Sequence, residues 1–145
     1  MDREIKNPYE IWLRDEVNKV SDGIYDDIQH LDQYPLTVAK QVLGILIQNA
    51  CLGQNDGPIR LGRKKTGEII NHDWLVQYFM EVADQNIDFS DEWEFRRLAE
   101  LVILCVPELK ESVLAKGANS EDEEIREAAE DYRDKTTENL FRVNE

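Results

Sequence analysis

Residues 71–106, NHDWLVQYFMEVADQNIDFSDEWEFRRLAELVILCV, constrain this chain to helices. Trp74, Tyr78 and Val82 fall on one stripe with Leu75 and Phe79 beside it, and recurrence at i, i+3 and i+4 marks a helix that buries one face. Gln77, Glu81 and Asp84 lie largely between those stripes. Asn71 or Asp73 supplies the N-cap or a first-turn acid, where a side-chain oxygen meets unpaired backbone N–H groups. A second helix is predicted after Ser90 as N-cap, with Asp91 and Glu92 in its first turn. Leu98, Leu101, Val102 and Cys105 carry its stripe, and residues 101–106 are apolar all round, so it is expected to be the central helix, buried on more than one side. The spacing reads as a helical hairpin, with Trp74, Phe79, Leu98, Leu101, Val102 and Leu46 expected in one core.

The remaining chain shows the same periodicity. Pro8 suits a first helical position, and Tyr9, Trp12, Leu13, Val17 and Val20 follow as an amphipathic pattern that Gly23 ends or bends. Ile24, Ile28 and Leu31 continue it until Tyr34-Pro35, since a residue before proline avoids the helical region. Residues 36–52 are apolar over most of a helical circumference, which predicts a core helix with a close crossing at Gly44. Residues 53–67, GQNDGPIRLGRKKTG, read as a basic, glycine-rich loop with a helical turn at 58–61. Pro107 starts a further helix that Lys116-Gly117 closes, and Ser120 with Glu123 predicts a capping box for a helix carrying Ile125, Ala128, Ala129 and Tyr132. Leu140 and Phe141 belong to a docked last turn or to a frayed tail at 136–145.

These segments predict an all-α fold of about six or seven helices in a single domain at 1–145, the usual size for one core. Its parts are a helical region at 8–52, the basic loop, helical pairs at 71–106 and 107–135, and the tail. Cys51 and Cys105 lie in apolar helical runs and are expected to be buried thiols in a reducing, cytoplasmic setting. No basic and apolar leader opens the chain, and the run around 42–47 is far short of the ~20 residues that span a bilayer.

Asp and Glu number 31 against 17 Lys and Arg, a formal net charge of -14, which disfavours nucleic acid and anionic membrane surfaces as partners. The glycine-rich segment fails as a phosphate loop, because Glu68 and Ile69 follow Gly67 where Lys and Ser or Thr are needed. Asp84, Asn86, Asp88, Ser90 and Glu92 alternate like a calcium loop. Phe89 and Phe95 nevertheless occupy the positions that require glycine and a bidentate glutamate, so Trp93 and Phe95 are expected to pack instead. His30 and His72 share no metal-ligand spacing, and no base is placed beside a serine or cysteine. No catalytic residue, metal or cofactor is assigned.

The segment LAKGANSEDEEIREAAEDY resembles HEAT-like helical repeats through Gly117, Ser120, Ile125, Arg126 and Ala129. That resemblance implies stacked antiparallel pairs in the C-terminal half, a scaffold for binding proteins along helix faces. In size, acidity and layout the chain is also similar to small, acidic, all-helical bacterial immunity proteins, which implies a toxin domain as partner. The expected function is a non-catalytic module for a basic protein. Its face comprises Asp91, Glu92, Trp93, Glu123, Glu124, Glu127, Asp131 and Tyr132, with Trp12 a further anchor if exposed. The rival classes are a structural or regulatory subunit of a larger assembly and an enzyme built on a carboxylate site.

Overall fold

The computed structural model describes residues 7–140, and among them there is no strand. Helix α1 (Pro8–Val20) leads through a 3-10 segment (Ile24–Gln33) into α2 (Leu36–Cys51). There follow α3 (Asp56–Gly67), α4 (His72–Asn86), α5 (Glu92–Cys105), a 3-10 turn (Pro107–Leu109), α6 (Lys110–Ala118) and α7 (Glu123–Asp131). The all-α expectation holds. No described helix is long and apolar enough to cross a membrane.

Local chemistry explains most boundaries. Asn7 accepts hydrogen bonds from the Tyr9 and Glu10 amides at 3.0 and 3.3 Å and places Pro8 in the first turn of α1. Gly23 follows with φ 81, a left-handed conformation that a Cβ penalises. Asn71 caps α4 by accepting from the Trp74 amide at 3.1 Å. A Cβ at Gly44 would lie 2.8 Å from Asn86 Nδ2, so the last turn of α4 crosses α2 at that residue.

Two helices share the centre. The α2 helix packs on α1, α3, α4 and α5, whereas α5 packs on α2, α3, α6 and α7. Leu46, Phe79, Leu98, Leu101 and Val102 are buried in the cluster these helices build, as the periodicity predicts. Trp74 is not: it is half-buried at the margin, with its ring 5.4 Å from that of Tyr78. The hairpin reading also needs correction, because α4 and α5 each lie against α2 and make few contacts with each other. The apolar stripe of α4 faces α2 and leaves α5 free to pack on the C-terminal helices.

The largest correction concerns residues 53–67. Asn55 accepts from the Gly57 amide at 3.0 Å, and a helix runs on through Gly57 and Gly62 instead of a loop. Burial outweighs the propensity cost of glycine, about 1 kcal/mol each. Ile59, Leu61 and Thr66 pack inward, and the missing Cβ at Gly62 lets α3 approach the Ala50 backbone of α2. Gly53, with φ 76, is the residue that turns the chain.

Caps and chain ends differ in similar ways. Asp91, not Ser90, caps α5, accepting from the Trp93 and Glu94 amides at 3.0 and 3.1 Å, while Ser90 is held by Asp88. Asp122, not Ser120, caps α7, accepting from the Glu124 amide at 2.9 Å. Gly117 does not end α6 but lies inside it, where the Phe95 ring occupies the space a Cβ would need. Both α6 and α7 pack on each other and on α5. The segment after α7 is docked and not frayed as far as it is described, since Leu140 is buried and Thr137 Oγ1 donates to the Ile103 carbonyl at 2.6 Å. Phe141 and the rest of the predicted tail lie outside the described residues.

Candidate protein-binding face

Arg96, one turn into α5, assembles the most unusual surface of the molecule. Its guanidinium pairs with Glu92 at 2.8 Å on its own helix and with Asp131 at 2.9 Å on α7. The same group lies 5.8 Å from the centroid of the Trp93 ring and 6.0 Å from that of Tyr132, while Arg97 lies 5.7 Å from Trp93. Four of the residues nominated from sequence, Glu92, Trp93, Asp131 and Tyr132, are thereby drawn to one place. Glu124, Glu127 and Asp131 recur on α7 at i, i+3 and i+7, so the two exposed glutamates extend the face along that helix. Glu123 is exposed in the first turn, beside the cap.

These residues have unequal roles. Trp93 is 49% exposed, contrary to the packed position expected for it, and the two arginines hold its indole in place. Tyr132 is only 8% exposed and is no contact residue: its hydroxyl donates to Glu100 Oε2 at 2.6 Å. Burial, reinforced by that bond, raises its pKa. Asp91 spends its carboxylate on the helix cap. Sequence spacing cannot show that Arg96 reaches from α5 to α7, and so the residue that organises the face was missed; its place one turn after Glu92 is the only signal.

A second exposed aromatic lies elsewhere. Trp12 is 56% exposed and borders a shallow depression with Ile45, Leu52 and Pro58. It lies next to the buried Leu13 and Val17 stripe of α1, with Glu16 one turn further along its own side.

The catalytic alternatives gain little. His30 Nδ1 lies 2.8 Å from Asp27 Oδ1, and the Tyr34 hydroxyl donates to Asp27 Oδ2 at 2.8 Å. Those two hydrogen bonds, His30 first, hold the Asp27 pKa below the usual carboxylate range. No hydrogen bond joins this half-buried group to a serine or cysteine among the described residues. In the supposed calcium turn, Asp84 pairs with Lys116, Asp88 with Ser90 and Glu92 with Arg96. Among the described residues no group of three His, Cys, Asp or Glu is placed to hold a metal. Of the two thiols, Cys51 is buried and Cys105 only half-buried, a correction to the expectation that both are fully enclosed. Burial raises both pKa values, that of Cys105 to about 11, so neither thiol is activated.

Comparison with protein-family models, curated proteins and solved structures finds no match for this chain.

Proposed function

We propose that the protein is a non-catalytic binding module whose acidic α5–α7 face engages a basic protein partner. The observation that carries this reading is the Trp93 indole, half-exposed, backed by Arg96 and Arg97 and rimmed by Glu92 and Asp131. A tryptophan already held in one orientation loses little side-chain freedom on binding, and interface energy concentrates on such anchors. The surrounding carboxylates, on a chain of net charge -14, accelerate encounter with a basic surface and reject acidic ones. The packed α6–α7 pair is in keeping with the resemblance to HEAT-like repeats, and a toxin domain, as for acidic helical immunity proteins, is the specific partner class that the second resemblance suggests.

The test is capture from the native host at low and high salt, with the wild type beside Trp93→Ala and Glu127→Lys. A basic protein should be retained at low salt, with an association rate that falls as salt rises, and both substitutions should weaken capture. Retention indifferent to Trp93→Ala, or turnover of a small molecule by the wild type, would refute the reading.

A further inference from the structure

The basic residues of 53–67 acquire a different meaning once that segment is a helix. Arg60, Arg63, Lys64 and Gly67 fall on one side of α3, where they wall an open groove of about 860 Å³ whose other side is Leu104 and Cys105 of α5. That volume lies in the roughly 300–1,000 Å³ range of small-molecule sites. The floor is apolar: Leu104 presents its side chain, Gly67 presents none, and the Cys105 thiol is turned toward the Arg63 carbonyl at 3.7 Å. Lys65 points elsewhere, over the Tyr25 ring at 4.4 Å.

The charges are not equally engaged. Of the two acids at the rim, Glu68 is held by Lys65 at 2.9 Å and Asp56 by Arg60 at 2.6 Å. The Asp56–Arg60 pair is largely exposed, and an exposed pair of this kind is worth at most about 1 kcal/mol, so Arg60 can exchange its partner at small cost. Lys64 is exposed and makes no ion pair with a described residue. The dipole of α3 accounts for Lys64 and Lys65 in its last turn but not for Arg60, the fifth residue of the helix. On a chain of net charge -14, a lysine with no ion-pair partner among the described residues and an arginine that can exchange its partner stand together above one apolar floor.

We infer that the groove between α3 and α5 binds a small apolar molecule carrying one anionic head group, with Lys64 and Arg60 meeting the anion and Leu104 and Gly67 meeting the apolar part. The site is separate from the acidic face of α5 and α7 and does not depend on a protein partner. Its ligand has charge opposite to that of the proposed partner.

Amide chemical shifts of the 15N-labelled protein, titrated with octanoate, octyl phosphate, inorganic phosphate and octylammonium, test it. Octanoate and octyl phosphate should shift the Gly67, Leu104 and Cys105 amides saturably, and the tighter of the two identifies the head group. Inorganic phosphate and octylammonium should bind at least about tenfold more weakly, the loss expected when either the apolar or the charged contact is missing. Lys64→Glu should weaken octanoate by about tenfold or more, and Lys64→Arg should retain it. Both substitutions are at an exposed residue that pairs with no described residue; Lys64→Arg should leave the melting temperature in place and Lys64→Glu, which opposes the α3 dipole, should lower it only slightly, which the same samples verify. Absence of saturable shifts, equal binding of octanoate and octylammonium, equal binding of inorganic phosphate, or an unchanged affinity in Lys64→Glu would each overturn the assignment.

Discussion

The Tyr132 hydroxyl donates to Glu100 Oε2 at 2.6 Å, while the other oxygen of the same carboxylate accepts from Arg97 at 3.2 Å and from Arg63. One carboxylate thus ties α3, α5 and the residue that follows α7. Tyr132→Phe removes a hydrogen bond to a charged acceptor and should cost about 1.5–3 kcal/mol in urea unfolding. Glu100→Ala takes a shared carboxylate from two largely buried guanidinium groups and should cost more, about 3–5 kcal/mol. Equal losses would show that the two arginines do not depend on Glu100.

Alkali should destabilise the fold. Burial raises the pKa of Cys105 to about 11, and burial with a hydrogen bond to Glu100 or Glu10 raises those of Tyr132 and Tyr25. In the unfolded chain thiols ionise near ~8.5 and tyrosines near ~10. The unfolded state therefore loses protons first as pH rises, so the contribution of these groups is complete below ~8.5 and declines above it. The Cys105 share should disappear between ~8.5 and about 11, followed by the tyrosine share. Urea midpoints at neutral pH and at several alkaline values check the sign, and a midpoint rising through that window contradicts it.

Three glycines of similar sequence context should respond differently to alanine. At Gly62 the new Cβ would stand 2.6 Å from the Ala50 backbone nitrogen, which cannot move aside without separating α3 from α2. The expected loss is about 1–3 kcal/mol. At Gly57 the obstacle is the exposed Tyr9 ring, which can swing away, so alanine should be close to neutral or mildly stabilising by helix propensity. A Cβ at Gly53 would meet no atom of a described residue within 4 Å, yet its φ of 76 penalises a Cβ by about 1 kcal/mol. Thermal melts that reverse the order of Gly62 and Gly57 would place the α2–α3 contact elsewhere.

Trp12 and Trp93 are exposed, and Trp74 is half-buried. Acrylamide should therefore quench the wild type readily and the double variant Trp12→Phe, Trp93→Phe much less, with emission shifted to shorter wavelength. Unchanged quenching in the double variant would mean that Trp74 is the accessible one.

The apolar stripes were legible wherever one face of a helix is buried. Leu13, Val17, Phe79, Leu98 and Val102 follow from spacing alone, as does Pro8 at a helix start, and of the two residues offered at the start of α4 Asn71 is the cap and Asp73 the first-turn acid. Where two local signals competed, the reading erred: Ser90 and Ser120 are good caps by type, but each lies ahead of an aspartate that takes the cap. Of the binding face, the acidic residues and Trp93 were visible as types, and Tyr132 was misplaced because an aromatic at the end of an amphipathic helix satisfies its stripe whether it faces solvent or core.

What the sequence by itself determined is the helical class and the identity of most buried side chains, because both depend on periodicity within a single segment. What only the tertiary structure decided depends on atoms far apart in the chain. Residues 53–67 become a helix because α2 offers the Ala50 backbone to Gly62, a burial that local propensity does not register. Helices α4 and α5 pack on α2, although the turn between them fits a hairpin equally well, because the partner of an apolar stripe is set by the shape of the whole core. The reach of Arg96 from α5 to Asp131, and of Tyr132 to Glu100, arises only after those helices have met. Side-chain length and charge permit such bridges, and helix placement selects them.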